Sequence, residues 1–122
     1  MSTATLPPAA VLLCQCSCPD LACARQLAET LVGERLAACV NVLPGVQSVY
    51  RWQGQMQNET EVLLLIKTTA ERFDALKARL RALHPYELPE LVATPVAAGH
   101  AAYLDWVRAN VAAAGGPAGK QS

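Results

Sequence analysis

The order of the elements that the sequence predicts is β-α-β-β-α-β with a terminal helix, which indicates an α+β domain with an antiparallel sheet. Residues 9–16 form a continuous apolar run typical of a central strand. A long strand pattern with a bend at Pro44-Gly45 is followed by a turn and a second strand. Amphipathic helical patterns separate these strands. Two β-α-β units that share a hairpin form the ferredoxin-like split arrangement, with the helices on one face of the sheet.

The first half of the chain predicts a strand followed by a helix. Asp20, after the strand at residues 9–16, is a good N-cap for a helix over residues 21–32. Gly33 is expected to end this helix, because glycine is common just past helix C-termini. The apolar stripe of the helix consists of Ala24, Leu27, Ala28 and Leu31.

The next strand, over residues 36–52, is longer than a small sheet needs. Pro44-Gly45 is expected to bend this strand rather than end it. Its far end carries Tyr50 and Trp52 and should overhang the domain. An overhanging apolar strand needs a partner, so this stretch is the first indication of an oligomer.

A strand over residues 61–67 is most simply the antiparallel return of the long strand. Thr68 and Glu71 have the spacing of a capping box for the following helix, which Pro85 ends. The apolar positions of this helix recur at helical spacing and are Phe73, Leu76, Leu80 and Leu83.

The end of the chain predicts a strand over residues 91–96 and a helix over residues 101–111. We expect a flexible lead-in at residues 1–8 and a disordered tail at residues 112–122, which is rich in Ala and Gly. Residues 9–111 are then a single domain.

The composition excludes several classes of protein. Ten basic and ten acidic residues give a net charge of zero, and no basic cluster occurs, so nucleic-acid binding is not expected. No apolar run has the length of a membrane span. Apolar residues make up 52% of the chain, which favours further burial against copies of itself. The N-terminus lacks signal-peptide features, and five cysteines are an odd number, so we expect reduced thiols in the cytoplasm.

Cys14, Cys16 and Cys18 alternate, so all three side chains should lie on one side of a strand. Thiolates suit soft cations such as Cu(I) or zinc, but successive side chains on one face are roughly 6–7 Å apart, too far to close easily on one ion. Alternatively Cys14 is a core residue and only Cys16 and Cys18 approach the surface. For Cys16, packing in the core and a functional position near the surface are equally favoured.

Residues 84–90 combine a histidine, a tyrosine and two carboxylates in a proline-stiffened loop. His84 is suited to metal ligation or to proton transfer, with Tyr86, Glu87 and Glu90 as further ligands or proton carriers. Alternatively the prolines fix a turn whose Tyr and Glu side chains bind a neighbouring chain. No nucleophile or cofactor motif accompanies these residues, so we expect no enzymatic activity.

Several motifs together resemble the CutA divalent-cation tolerance family over residues 11–111. The resemblance implies a homotrimer that is similar in architecture to the PII signalling proteins, with Tyr50, Trp52, Glu61, Lys67, Tyr86, Glu90 and Trp106 at an intersubunit pocket or interface. The motifs that carry it are Glu34-Arg-Leu-Ala-Ala-Cys-Val-Asn41, Pro44-Gly45, Ser48-Val-Tyr-Arg-Trp-Gln-Gly54, Glu61, Ile66-Lys-Thr68, His84-Pro-Tyr-Glu-Leu-Pro-Glu90 and Tyr103-Leu-Asp-Trp106.

The resemblance also implies metal binding, with copper or a similar divalent cation as the expected ion. The copper ligands assigned in this family fall on Cys16, Leu83 and His84. Leu83 stands where a histidine is expected, which leaves Cys16 and His84 as the predicted metal ligands and Cys14 or Cys18 as a substitute for the third. The alternative is a signalling or scaffold trimer that binds a small anion or a partner protein at clefts between subunits.

Overall fold

The computed structural model describes residues 6–112 and contains a four-stranded antiparallel sheet with three helices. In chain order the elements are β1 (Val11–Cys18), α1 (Leu21–Gly33), β2 (Cys39–Trp52), β3 (Gln55–Thr69), α2 (Ala70–Leu83), β4 (Val92–Pro95) and α3 (Ala101–Asn110). The strands lie in the order β2-β3-β1-β4, which is the predicted split β-α-β topology.

One face of the sheet packs against α1 and α2 and forms the main core. Alternate residues of β1 point to this face, because successive side chains of a strand lie on opposite sides. Each fully buried leucine stabilises the fold by about 1.5–3 kcal/mol relative to an exposed one. The side chains of this cluster that are at most 3% exposed include Leu12, Cys14, Cys16, Cys18, Leu27, Leu31, Leu64, Ile66, Leu76 and Leu80.

The helices of the two β-α-β units, α1 and α2, share one face as predicted, and the terminal helix α3 packs on the opposite face. Val107 of α3 joins Val11 and Ala38 in a second, smaller core cluster. The rest of this face has no helix over it in the described part of the chain, and we call it the open face. Its apolar side chains remain at least partly exposed and are Leu13, Leu43, Leu63, Leu65 and Val92.

The hairpin of β2 and β3 extends far beyond the other strands. Residues 46–52 of β2 pair with residues 55–61 of β3, whereas β1 pairs with β3 only from Val62 onwards. We call this two-stranded extension the ribbon. Two strands alone are marginally stable in water, so the ribbon needs further contacts. The predicted start of β3 at residue 61 is wrong, because β3 begins at Gln55.

Two glycines with positive φ shape this hairpin. Gly45, at φ +81°, lies in a β-bulge between Leu43 and Val46, so Pro44-Gly45 bends the strand without ending it, as predicted. At the tip, Gln53 and Gly54 have φ values of +51° and +80°. Two successive left-handed residues are typical of a tight hairpin turn that follows the strand twist.

The start of α1 agrees with its predicted cap, since an oxygen of Asp20 accepts a hydrogen bond from the Cys23 N–H at 2.8 Å. The end of α1 differs from the prediction. Gly33 remains inside the helix, and the left-handed residue after it is Arg35, at φ +60°.

The predicted capping box at Thr68 and Glu71 is wrong. Thr68 is fully buried, and its hydroxyl donates to the Leu36 carbonyl at 2.7 Å. The N–H of Glu71 instead donates to the Pro8 carbonyl at 2.9 Å. Residues distant in sequence therefore provide the hydrogen-bond partners at the start of α2, and the reciprocal bonds of a capping box do not form.

Other boundaries are displaced by a few residues. The first strand was predicted at residues 9–16, but β1 continues to Cys18, which pairs with Val62 of β3. The predictions of a flexible lead-in at residues 1–8 and of a disordered tail at residues 112–122 lie mainly outside the described residues.

Candidate metal centre

The C-terminal end of β1 carries two buried thiols on the side that faces α1 and α2. Cys16 and Cys18 are each 0% exposed, as is Cys14 on the same face. The interpretation of Cys14 as a core residue therefore agrees with the structure. The expectation that Cys16 and Cys18 approach the surface is wrong, because the main core extends over this end of the strand.

The end of α2 brings His84 to the same place. α2 ends at Leu83, because His84 has an extended backbone ahead of Pro85. The His84 side chain is buried at 7% exposure. Its Nε2 lies 2.7 Å from the carbonyl oxygen of Ser17, and its Nδ1 accepts a hydrogen bond from the Tyr86 N–H at 3.1 Å. Since a carbonyl oxygen only accepts, the proton is on Nε2 and the ring is neutral.

The ligand atoms of Cys16, Cys18 and His84 all lie within 4.8 Å of one another, and we call these residues the thiol–imidazole cluster. Metal–ligand bonds of about 2.0–2.3 Å hold the ligand atoms of one ion roughly 3.5–4 Å apart. Only a small contraction would therefore be needed around an ion. Two sulfurs and one imidazole nitrogen suit copper or zinc, whereas magnesium and calcium prefer oxygen ligands.

The two thiols of the cluster differ in acidity. The hydrogen bond with Cys18, followed by burial, raises the pKa of the Cys16 thiol, whose Sγ also lies 3.7 Å from the Ser17 carbonyl oxygen. The hydrogen bond from Cys16 lowers the pKa of Cys18. Burial alone raises the pKa of Cys14 to about 12. The two thiols of the cluster therefore share a proton-donating contact, and a metal would require the thiolate form.

Both ring nitrogens of His84 already have partners, so an ion would bind the ring only in exchange for one of them. Histidine ligands usually donate their other N–H to a carbonyl or carboxylate group, as the Nε2–H of His84 does to Ser17. That pattern favours Nδ1 as the metal-binding atom, at the cost of the hydrogen bond from Tyr86. With this one exchange, the donor set fits a soft cation.

A cleft of about 820 Å³ lies beside the cluster, between the ribbon and the loop at residues 85–90. Tyr86 donates to Glu61 at 2.5 Å, and Ser17 donates to Glu90 at 3.1 Å. Burial, and then the hydrogen bond to Glu61, raise the pKa of Tyr86 above its usual range. The lining has one guanidinium, from Arg51, against four carboxylates, Glu59, Glu61, Glu87 and Glu90. The cleft is therefore acidic.

Five of the seven residues predicted at an intersubunit pocket line this cleft: Tyr50, Trp52, Glu61, Tyr86 and Glu90. Lys67 and Trp106 do not line it. The Lys67 ammonium instead donates to Asn41 and lies 3.8 Å from the Cys39 sulfur, and Trp106 stacks on Tyr103 with ring centroids 5.6 Å apart. Within one chain, Lys67 and Tyr86 lie at different ends of the sheet. That both line a pocket between subunits stays a prediction.

Sequence reasoning treated Cys18 only as a substitute ligand, although the structure brings it into the cluster with Cys16 and His84. The Cys-Ser-Cys alternation was the available signal for its orientation. Leu83, at 37% exposure, is outside the cluster.

The model of the family described as CutA1 divalent ion tolerance protein matches residues 12–110 of this chain. The chain belongs to this family. The resemblance noted in the sequence is therefore confirmed, as is the α+β fold with its antiparallel sheet.

Similar proteins carry the family name. A divalent-cation tolerance protein CutA from Thermus thermophilus is 55% identical over 92 residues, which cover 75% of this chain and 89% of the relative. Another, from Pectobacterium atrosepticum, is 44% identical over 91% of this chain and 99% of the relative. The crystal structure of CutA from Xylella fastidiosa has a TM-score of 0.81 at 48% identity and covers 83% of this chain and 97% of that one.

The names of CutA1 family members point to different compartments. A rice relative, 40% identical over 88% of this chain and 59% of its own length, is named chloroplastic. A solved structure from Archaeoglobus fulgidus, 32% identical with a TM-score of 0.80, covers 83% of this chain and 98% of that one and is named periplasmic. In the described part of the present chain, no helix has the length and apolar character needed to span a membrane.

Proposed function

We propose that this CutA1 family chain is a cytoplasmic, non-enzymatic homotrimer that contributes to divalent-cation tolerance by binding copper or a similar cation through Cys16 and His84. The observation that carries the proposal is the proximity of these two side chains, which come from different elements and have ligand atoms within 4.8 Å of each other. A thiolate and an imidazole are the ligand types that copper prefers. A bound ion would supply a strong positive charge at a buried site, and the residues would serve to hold it.

Trimer formation is supported by the apolar surface that one chain leaves uncovered. The open face carries partly exposed leucines, and the ribbon exposes Val49 at 63% and Met56 at 73%. Exposed apolar patches of this kind mark association sites in soluble proteins. Pairing of ribbons between subunits would also supply the contacts that a two-stranded extension needs.

The cytoplasmic location and the lack of enzymatic activity remain part of the proposal. The cytoplasmic location is supported by the thiol chemistry, because all five cysteines are free and the metal site requires reduced Cys16. The neutral ring of His84 makes hydrogen bonds to two backbone groups, Ser17 O and Tyr86 N, which suits a structural or ligand role more than proton transfer.

The proposal is tested by titrating copper into the reduced, full-length protein by calorimetry. The Cys16→Ser/His84→Ala variant should bind at least about a hundredfold more weakly than the parent. Cys14→Ser is the matched control, since Cys14 is equally buried on the same strand face but lies outside the cluster, and it should bind as the parent does. Equal binding by the double variant and the parent would reject the site.

A second candidate function is recognition of a partner protein in the acidic cleft, as in a signalling or scaffold trimer. Four carboxylates against one guanidinium favour a partner with basic side chains. They disfavour a small anion, the other ligand expected from the sequence for such a cleft. A thermal-shift screen separates the two functions: stabilisation by lysine-rich peptides, with none by metals, would favour the second.

A further inference from the structure

The thiol–imidazole cluster contains a third donor that the metal site of Cys16 and His84 does not include. Cys18 is fully buried, and its sulfur lies within 4.8 Å of the ligand atoms of both Cys16 and His84. The two thiols, at alternate positions of one strand, do not have to provide the whole set of ligands for an ion. The imidazole of His84, at the end of α2, lies near both sulfurs and is the third ligand of the set.

Burial restricts which cation these three donors can hold. Cys16 and Cys18 are 0% exposed and His84 is 7% exposed, so the donors are shielded from bulk water. The cluster itself offers two sulfurs and one nitrogen, and no carboxylate belongs to it. Magnesium, calcium and manganese favour oxygen ligands, and zinc in proteins is almost always four-coordinate. A soft ion that is stable with three ligands matches the set best.

We propose that Cys18 is a metal ligand together with Cys16 and His84, and that the resulting three-coordinate site selects Cu(I). The inference rests on the proposed function, whose cation site it deepens. It assigns the third ligand to Cys18, in place of residue 83. Leu83 has an apolar side chain that is 37% exposed and offers no donor atom.

The test is an anaerobic competition titration of the full-length protein with Cu(I) and a coloured Cu(I) chelator. Replacing one of three ligands should weaken Cu(I) binding by about a hundredfold or more, so we expect this loss for Cys18→Ser. Cys18→Ala is a second variant that leaves no buried hydroxyl. Cys14→Ser is the matched control, because it removes a buried thiol of the same strand that is outside the cluster, and it should keep the parental affinity.

X-ray absorption of the Cu(I)-loaded parent supplies a measurement that a purely structural role of Cys18 would not change. The parent should have two sulfur neighbours and one nitrogen neighbour, and Cys18→Ala should lose one sulfur. Circular dichroism of the metal-free variants checks that they are folded.

The possible failures are distinguishable. If Cys18→Ser and Cys18→Ala bind Cu(I) like the parent, while Cys16→Ser/His84→Ala does not, the role of Cys18 is rejected and the proposed function stands. If the parent binds neither Cu(I) nor Cu(II), both are rejected. A parent that prefers Zn(II) to Cu(I), with a four-coordinate absorption spectrum, would overturn the assignment of the ion.

Discussion

Nε2 of His84 lies 2.7 Å from the carbonyl oxygen of Ser17, a contact that joins the end of α2 to β1 across 67 residues of sequence. Nδ1 of the same ring accepts from the Tyr86 N–H, so one buried side chain connects the strand, the helix end and the cleft loop. One of the two hydrogen bonds that hold the ring, the bond from the Tyr86 N–H, is also the one that an arriving ion would replace. Stability and metal binding are therefore coupled at His84.

Removing the His84 ring should destabilise the metal-free protein. His84→Ala leaves the Ser17 carbonyl without its side-chain donor and opens a space in a buried region, so we expect a loss of about 1–3 kcal/mol in the free energy of unfolding. Urea denaturation at one fixed chain concentration measures it. Leu83→Ala is the control, since Leu83 is 37% exposed and its truncation should cost less. Equal losses in the two variants would contradict a structural role for the ring.

The two tyrosine–glutamate pairs at the cleft should differ in their contribution to stability. Tyr86 donates to Glu61, which is 5% exposed, whereas Tyr50 donates to the exposed Glu59. Tyr86→Phe leaves a buried carboxylate without its donor, and we expect a loss of roughly 1–2 kcal/mol. Tyr50→Phe should cause a smaller change, because water replaces its partner. Thermal or urea unfolding compares the variants, and a larger effect of Tyr50→Phe would refute the argument.

Local signals in the sequence predicted the element order, the Asp20 cap and the bend at Pro44-Gly45, since each depends on residues close in the chain. The capping box at Thr68 and Glu71 failed for a tertiary reason. Thr68 is held by the Leu36 carbonyl, and Glu71 finds the Pro8 carbonyl, so distant partners displace the local pair. A local sequence pattern does not show whether a hydrogen-bond partner from a distant part of the chain will replace the local one.

The candidate site was predictable only in part. Strand alternation placed Cys16 and Cys18 on one face, and the family resemblance pointed to Cys16 and His84 as ligands. The meeting of His84 with Cys18 depends on how far α2 runs before Pro85 and on its packing against β1. Neither the length of the helix nor its packing can be determined from local sequence patterns.

The hairpin tip should depend on Gly54. Its φ of +80° lies in the left-handed region, where a Cβ is unfavourable by about 1–2 kcal/mol, so Gly54→Ala should lower the free energy of unfolding by that amount. Gly33→Ala is the matched control. Gly33 lies in the last turn of α1, and an added Cβ would meet no atom within 4 Å, so the change should be neutral or slightly stabilising. Destabilisation by Gly33→Ala equal to that by Gly54→Ala would count against the turn geometry.

The open face should determine the oligomeric state. Leu65 lies at its centre, opposite Gln15 of β1 and Asn41 of β2, and points away from the main core. Leu65→Glu places a charge on this face, and burying that charge between subunits would be costly, so we expect the proposed trimer to dissociate while the single chain keeps its fold. Val32→Glu changes an equally apolar side chain, 41% exposed on α1, and should leave the assembly intact. Sedimentation velocity at micromolar concentration, with circular dichroism as a check on folding, separates these outcomes. A monomeric parent, or a trimeric Leu65→Glu variant, would show that the open face is not where the subunits meet.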